Sequence, residues 1–153
     1  GTVASLAAAV LAAGVLAAGR FLGGIWLAVL SVLVLAVLSW YYGRTAVMMY
    51  SSVLTPERKK DGRKTRFDHS IFVIDEVLGM LIAALPLAWF SPSERVFWAG
   101  LFLAFALFRL FDIAKPWPIS RIDRGDRPSN VMLDDAAAGA VAAALTALYL
   151  LII

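Results

Sequence analysis

The chain has 153 residues, of which 61% are hydrophobic and 16% charged, with a net charge of +3. An ordinary soluble domain is about 45–50% apolar and about 25% charged, and a chain this short buries too little of its surface to hide such an excess in one core. With a mean hydropathy of +0.82, the composition argues against a soluble enzyme, a disordered chain or a secreted scaffold, and for a membrane protein.

About 20 apolar residues cross a bilayer as a helix. Five runs with few or no charges stand out in chain order. The first, 3–18, is short and Ala-rich, and a re-entrant segment is an alternative reading of it. Its start, Gly1-Thr2-Val3, lacks a Met and a basic n-region, and reads as trimmed rather than as a signal peptide. Gly19-Arg20-Phe21-Leu22-Gly23-Gly24 follows, with glycines suited to a tight turn. The clearest span is 25–42. A third, 71–90, carries Asp75 and Glu76 near its start, a fourth, 96–110, runs into Arg109 and Asp112, and the fifth, 136–153, is entered through Asp134 and Asp135. Polar loops fall at 43–70 and 111–135. The expected fold is an all-α, polytopic integral membrane bundle of about five segments in a single domain, 1–153. Gly14 with Ala18, and Gly139 with Ala143, permit close helix contacts, between copies of the chain as readily as within one.

The charges are lopsided. The loop at 43–70 holds seven cations, and the stretch from Arg109 to Arg127 holds five more, leaving Arg20 and Arg95 for the other side. A 12-to-2 split places both long loops in the cytoplasm. Ten of the eleven acids fall on that same side, Glu94 being the exception. Asp75, Glu76, Asp112, Asp134 and Asp135 thus lie at helix ends of one depth. Ionised carboxylates near hydrocarbon are costly unless paired or bound to metal, and a divalent cation is the simplest agent that makes such a cluster tolerable.

Each motif also has a plainer reading. Asp75 and Glu76 could serve only the helix dipole, although Ile71-Phe72-Val73-Ile74 already precedes them. Asp134 or Asp135 could be a cap. Arg109, Asp112 and Lys115 follow an i, i+3, i+6 spacing and share a face if the helix continues; they are either an interfacial ion-pair strip or a phosphate-binding group. Gly79 is expected to admit a neighbouring helix, and Trp117 to anchor the interface. Asp123 and Asp126, among Arg121, Arg124 and Arg127, read as a solvated loop, and His69 as a surface or capping residue. The basic run at 58–66 suits anionic headgroups. Asp61-Gly62-Arg63 faintly resembles the start of the CDP-alcohol phosphotransferase motif, without the residues that should follow.

Taken together, Ile74-Asp75-Glu76 with Gly79, Phe108-Arg109-Leu110-Phe111-Asp112 running into Lys115-Pro116-Trp117-Pro118, and Met132-Leu133-Asp134-Asp135 with Gly139 resemble the bacterial phosphatidylglycerophosphatase A family. Gly1-Thr2-Val3-Ala4-Ser5-Leu6 is similar to that family's Gly-Thr-x-Gly-Ser-Leu segment, with Ala4 in place of the second Gly. His69 stands where a Pro often follows the Asp, and 56–66 resembles an insertion. The resemblance implies a Mg²⁺-dependent phosphatase of the bacterial inner membrane. It would convert phosphatidylglycerophosphate, an anionic phospholipid, to phosphatidylglycerol, with its active site facing the cytoplasm.

The absence of Cys and the single His exclude thiolate and multi-His sites, leaving attack to metal-activated water, the favoured route, or to an Asp. Asp75, Glu76, Asp134 and Asp135 are the expected Mg²⁺ ligands. Arg109 and Lys115 are expected at the phosphate. Asp75, Glu76, Asp112 and Asp135 are the expected catalytic set, Asp112 as ligand, orienter or base. No nucleic-acid partner is expected. The rival class is a cation-coupled transporter or channel subunit using the same carboxylates as an ion site; a structural protein whose acids merely cap helices is a third reading.

Overall fold

The computed structural model describes residues 2–50, 57–58, 64–65, 73–90, 93–124 and 127–153. Helix α1 (Thr2–Tyr50) is interrupted at Gly24, whose backbone (φ 73°, ψ −164°) leaves the helical region. Glycine adopts such a conformation at little steric cost. The chain turns back on itself there. A Cβ on Gly19 would lie 2.5 Å from the Ala28 Cα, whereas nine residues of straight helix would separate the two positions by about 13.5 Å. The arms, residues 2–23 and 25–50, are about 33 and 39 Å long at the usual helical rise. Each exceeds the roughly 30 Å of a hydrocarbon core, so the first arm is a full-length helix, and the second runs well past the expected boundary at 42.

The third expected span is not one helix. It forms α2 (Ile74–Ala84), a turn at Leu85 and Pro86, and the four-residue α3 (Leu87–Phe90). Pro86 has no N–H to continue the ladder, and the chain re-forms hydrogen bonds beyond it, from Trp89 and Phe90 to the Pro86 carbonyl. Helix α4 (Glu94–Ala114) starts on a Ser93 side-chain cap that accepts from the Val96 N–H. It ends at Lys115, which is left-handed (φ 40°, ψ 56°). A short α5 (Ile119–Asp123) follows, then α6 (Pro128–Ile152), with Pro128 in its first turn, where a missing N–H is harmless. Among the described residues, α1, α4 and the 129–152 part of α6 are long and apolar enough to cross a membrane. Within the expected 43–70 loop, β1 (Glu57–Arg58) and β2 (Lys64–Thr65) pair antiparallel. His69, Asp126 and most of the basic run lie outside the described residues.

Contacts at the two ends establish the alternation of the segments. Ser5, Gly43, Ile74, Glu76, Arg109 and Met132 meet at one end. At the other, Arg20 donates to the Leu87 carbonyl at 3.4 Å, Trp26 meets Trp89 edge-on, and Leu87 and Leu150 flank Gly100. The core between them is Ala-rich, with Leu16, Met80, Leu81 and Phe108 as its large members. Large apolar side chains also cover the outside, Phe21, Trp26, Phe102 and Ile152 among them. A water-exposed surface of this kind would be an interaction patch or an aggregation hazard; against lipid it is the expected exterior.

Helices α2 and α6 cross at two glycines. A Cβ at Gly139 would fall on the carbonyl oxygen of Gly79, and one at Gly79 would meet the Phe108 ring and the Asp135 carbonyl. The helix-packing expectation for Gly79 holds, and Gly139 is its partner. Gly14 makes no such contact within the chain: a Cβ there would meet nothing within 4 Å.

Candidate active site

The crossing at Gly79 and Gly139 positions the acids. Asp75 and Asp135 each lie four residues before their glycine, one helical turn toward the same end of the bundle, because α2 and α6 both begin there. The Asp75 carboxylate is close enough to Asp134 and Asp135 to repel both, and Asp135 also feels Asp112. Asp134 and Asp135 are each 5% exposed. The Asp135 carboxylate accepts no hydrogen bond from a described residue. Neither residue caps α6, which begins at Pro128 and places both acids well inside the helix. The capping alternative for this pair is thereby removed.

Glu76 faces elsewhere. Adjacent residues on a helix are about 100° apart around its axis, and Glu76 turns from the Asp75 group toward the first arm of α1. Its Oε2 accepts from Ser5 Oγ at 2.5 Å, and its Oε1 lies 3.9 Å from Arg109 Nη1. Arg109 Nη1 also donates to Ser5 Oγ at 3.2 Å and to Asp112 Oδ2. Ser5 therefore links two groups that lie 71 and 104 residues away in sequence. Arg109 Nε is buried without a partner among the described residues, and an unmet buried donor costs about 1–3 kcal/mol.

Lys115 leaves the expected strip. The helix stops before it, and its left-handed backbone turns the side chain to Asp123 Oδ1 (2.6 Å) and Asp134 Oδ2 (2.5 Å). Burial alone would lower its pKa; the Asp134 and Asp123 carboxylates outweigh that and raise it above the ordinary lysine value. Asn130 Nδ2 donates to the Ile122 carbonyl at 2.8 Å and ties α5 to the start of α6, which holds Asp123 in place. Trp117 is 78% exposed, as an interfacial anchor should be.

The site residues proposed from sequence thus form two adjoining groups. Asp75, Asp134 and Asp135 approach one another, with Lys115 on Asp134; Glu76, Arg109 and Asp112 form the second, with Ser5. Among the described residues no three of the acids stand close enough together to hold a metal ion. Ser5 and Asp123 were not singled out in the sequence as site residues. Ser5 is one hydroxyl in an Ala-rich run, and a polar side chain in a helix that must be buried is the signal that could have marked it. Asp123 sits among arginines that made a solvated loop the default reading.

This arrangement, carboxylates and cations gathered at one end of an apolar helical bundle, defines a polytopic α-helical membrane protein with a buried charged site. The description Phosphatidylglycerophosphatase A matches residues 1–150, and the chain belongs to that family. It is similar to the Escherichia coli phosphatidylglycerophosphatase A, with 35% identity over 79 residues, covering 51% of this chain and 42% of that protein. The Haemophilus influenzae phosphatidylglycerophosphatase A is 39% identical over 74 residues, covering 46% and 40%. A Bacteroides thetaiotaomicron protein with the provisional name phosphatidylinositol-3-phosphatase is 39% identical over 72 residues, covering 47% and 43%. The matches thus span about two-fifths of the curated relatives' length. No solved structure matches the chain.

Proposed function

We propose that this protein hydrolyses the terminal phosphomonoester of phosphatidylglycerophosphate, giving phosphatidylglycerol and phosphate, in the bacterial cytoplasmic membrane with the charged end facing the cytoplasm. The observation that carries the reading is Arg109, whose side chain is 14% exposed. Its Nη1 is engaged by Ser5 and Asp112, while its buried Nε finds no acceptor among the described residues. A phosphate oxygen is a natural acceptor for such a donor, and guanidinium–phosphate bonds are among the strong charge-assisted ones. Family membership and the names of two relatives support the same chemistry.

The donor chemistry, carboxylate oxygens only, suits a hard divalent cation, and among the described residues the acids would have to draw together to hold one. Asp75, Asp134 and Asp135 are oxygen ligands only, they repel one another, and no described residue donates a hydrogen bond to the Asp135 carboxylate. Mg²⁺ bound there would supply charge neutralisation and a water activated for attack on phosphorus. The protein's own groups do the rest. Arg109 fixes the phosphate and offsets charge as it moves to the leaving oxygen. Ser5 and Glu76 hold the guanidinium from one side and Asp112 from the other. Lys115 neutralises Asp134 and keeps it placed. Asp112 is the acid nearest Arg109, and it is the candidate to take the attacking water's proton.

The test is phosphate release from phosphatidylglycerophosphate in mixed micelles by the purified protein, with Mg²⁺ and then with EDTA. Metal-dependent release is expected. Ion flux in proteoliposomes without any hydrolysis would replace the enzyme with the transporter reading.

A further inference from the structure

Between the first arm of α1 and helix α4 lies a groove of about 490 Å³ with apolar walls, among them Leu6, Val10 and Gly14 on one side and Phe97, Leu101 and Phe105 on the other. Its upper end adjoins the charged site on both walls. Leu6 follows Ser5, which bonds Glu76 and Arg109, and Phe105 precedes Arg109 by one turn of α4. Phe102, also on its wall, is 73% exposed, so the groove borders the face that lipid would cover.

Gly14 is the second observation. Glycine inside a helix is less favourable than alanine, and it is ordinarily explained by close packing of a neighbour. Nothing comes near this one: a Cβ at Gly14 would meet no atom within 4 Å. The missing side chain deepens the groove and serves no helix contact in the chain.

We propose that the groove takes one acyl chain of the phospholipid whose phosphate the Arg109 group holds. The proposal rests on the phosphatase reading above and adds the lipid's second point of attachment. A chain entering from the bilayer leaves other lipid rather than water, so apolar burial drives it little. The groove acts through fit: it orients the headgroup toward Arg109 and discriminates among chains by length.

The experiment compares dipalmitoyl with dihexanoyl phosphatidylglycerophosphate as substrates for the wild type, Gly14→Leu, Gly14→Phe and Leu148→Phe. Leu148 is exposed on α6 and does not line the groove. Filling the groove should lower kcat/KM for the dipalmitoyl substrate about tenfold more than for the dihexanoyl one, the scale of discrimination typical of an apolar pocket; Leu148→Phe should leave the ratio alone. A second readout does not need turnover. In phosphatidylcholine vesicles doped with a phosphatidic acid carrying a mid-chain diazirine, photo-adducts should concentrate on residues 97–105. Excess unlabelled phosphatidic acid and Gly14→Phe should each suppress them. Adducts spread evenly over the exposed faces and indifferent to the variant would overturn the proposal. So would an unchanged chain-length ratio, alone or with a dimer-to-monomer shift in Gly14→Phe, which would make the groove a face between copies. If the wild type releases no phosphate from either lipid, the phosphatase reading fails, and the adduct pattern alone still decides the groove.

Discussion

Replacing Gly139 by alanine probes whether the α2–α6 crossing sets the spacing of the carboxylates. The added Cβ would strike the Gly79 carbonyl oxygen and lie 3.0 Å from that residue's Cα and carbonyl carbon. Comfortable carbon–carbon contacts are about 3.5–4.0 Å, so the helices must separate by roughly 0.5–1 Å. Overpacking of this kind costs about 1–3 kcal/mol, and alanine's helix propensity returns up to about 1 kcal/mol. The net loss of stability is then at most about 3 kcal/mol, below the roughly 5–15 kcal/mol that holds a typical protein folded. Asp75 and Asp135 stand only about 6 Å along their helices from the crossing, so most of the separation reaches them. Misplacement near 1 Å can cost about 100-fold in rate. Phosphate release should therefore fall by that order while circular dichroism and membrane insertion persist. A Gly139→Ala protein with activity within about twofold of wild type would refute the idea that this crossing spaces the acids.

Other expectations follow from the same geometry. Asp75→Asn and Asp135→Asn should each remove most phosphate release while leaving helicity intact; near-wild-type rates in both would remove these residues from the site. Arg109→Lys keeps the charge but cannot serve Ser5, Asp112 and a phosphate together, so kcat should drop about 100-fold with little change in thermal stability. Ser5→Ala should cost less, on the order of 1 kcal/mol in transition-state binding for one hydrogen bond, read as a modest fall in kcat/KM. At Lys115, glycine relieves the left-handed backbone and alanine does not, a difference of about 1 kcal/mol. Both variants should lose activity because Asp134 loses its Lys115 ion pair, with Lys115→Gly melting higher than Lys115→Ala.

The common depth of the site charges was readable because apolar runs and the charges that end them are one-dimensional signals. That is why Asp75, Arg109 and Asp134, far apart in sequence, could be expected at one depth. The glycines at 19–24 marked the hairpin, but only the positive φ of Gly24 shows that the helix continues right up to the turn. Pro86 lay in plain view inside the 71–90 run, and its missing N–H explains why that run became two helices. The split between Asp75 and Glu76 was implicit in helical geometry, since neighbours in sequence point to different partners. The paths of Lys115 and Asp123 were not readable. They depend on a left-handed cap and a five-residue helix, and no periodicity announces either.

The hydrogen bonds of Ser5 have a consequence for how the molecule comes into being. Its partners at 76 and 109, and the acids at 134 and 135, are made in succession as the chain grows. No nascent fragment that stops short of the last helix can assemble the full constellation. The Ser5, Glu76, Arg109 and Asp112 group can pair first, whereas Lys115 waits for Asp134, so the final segment closes the molecule electrically as well as sterically.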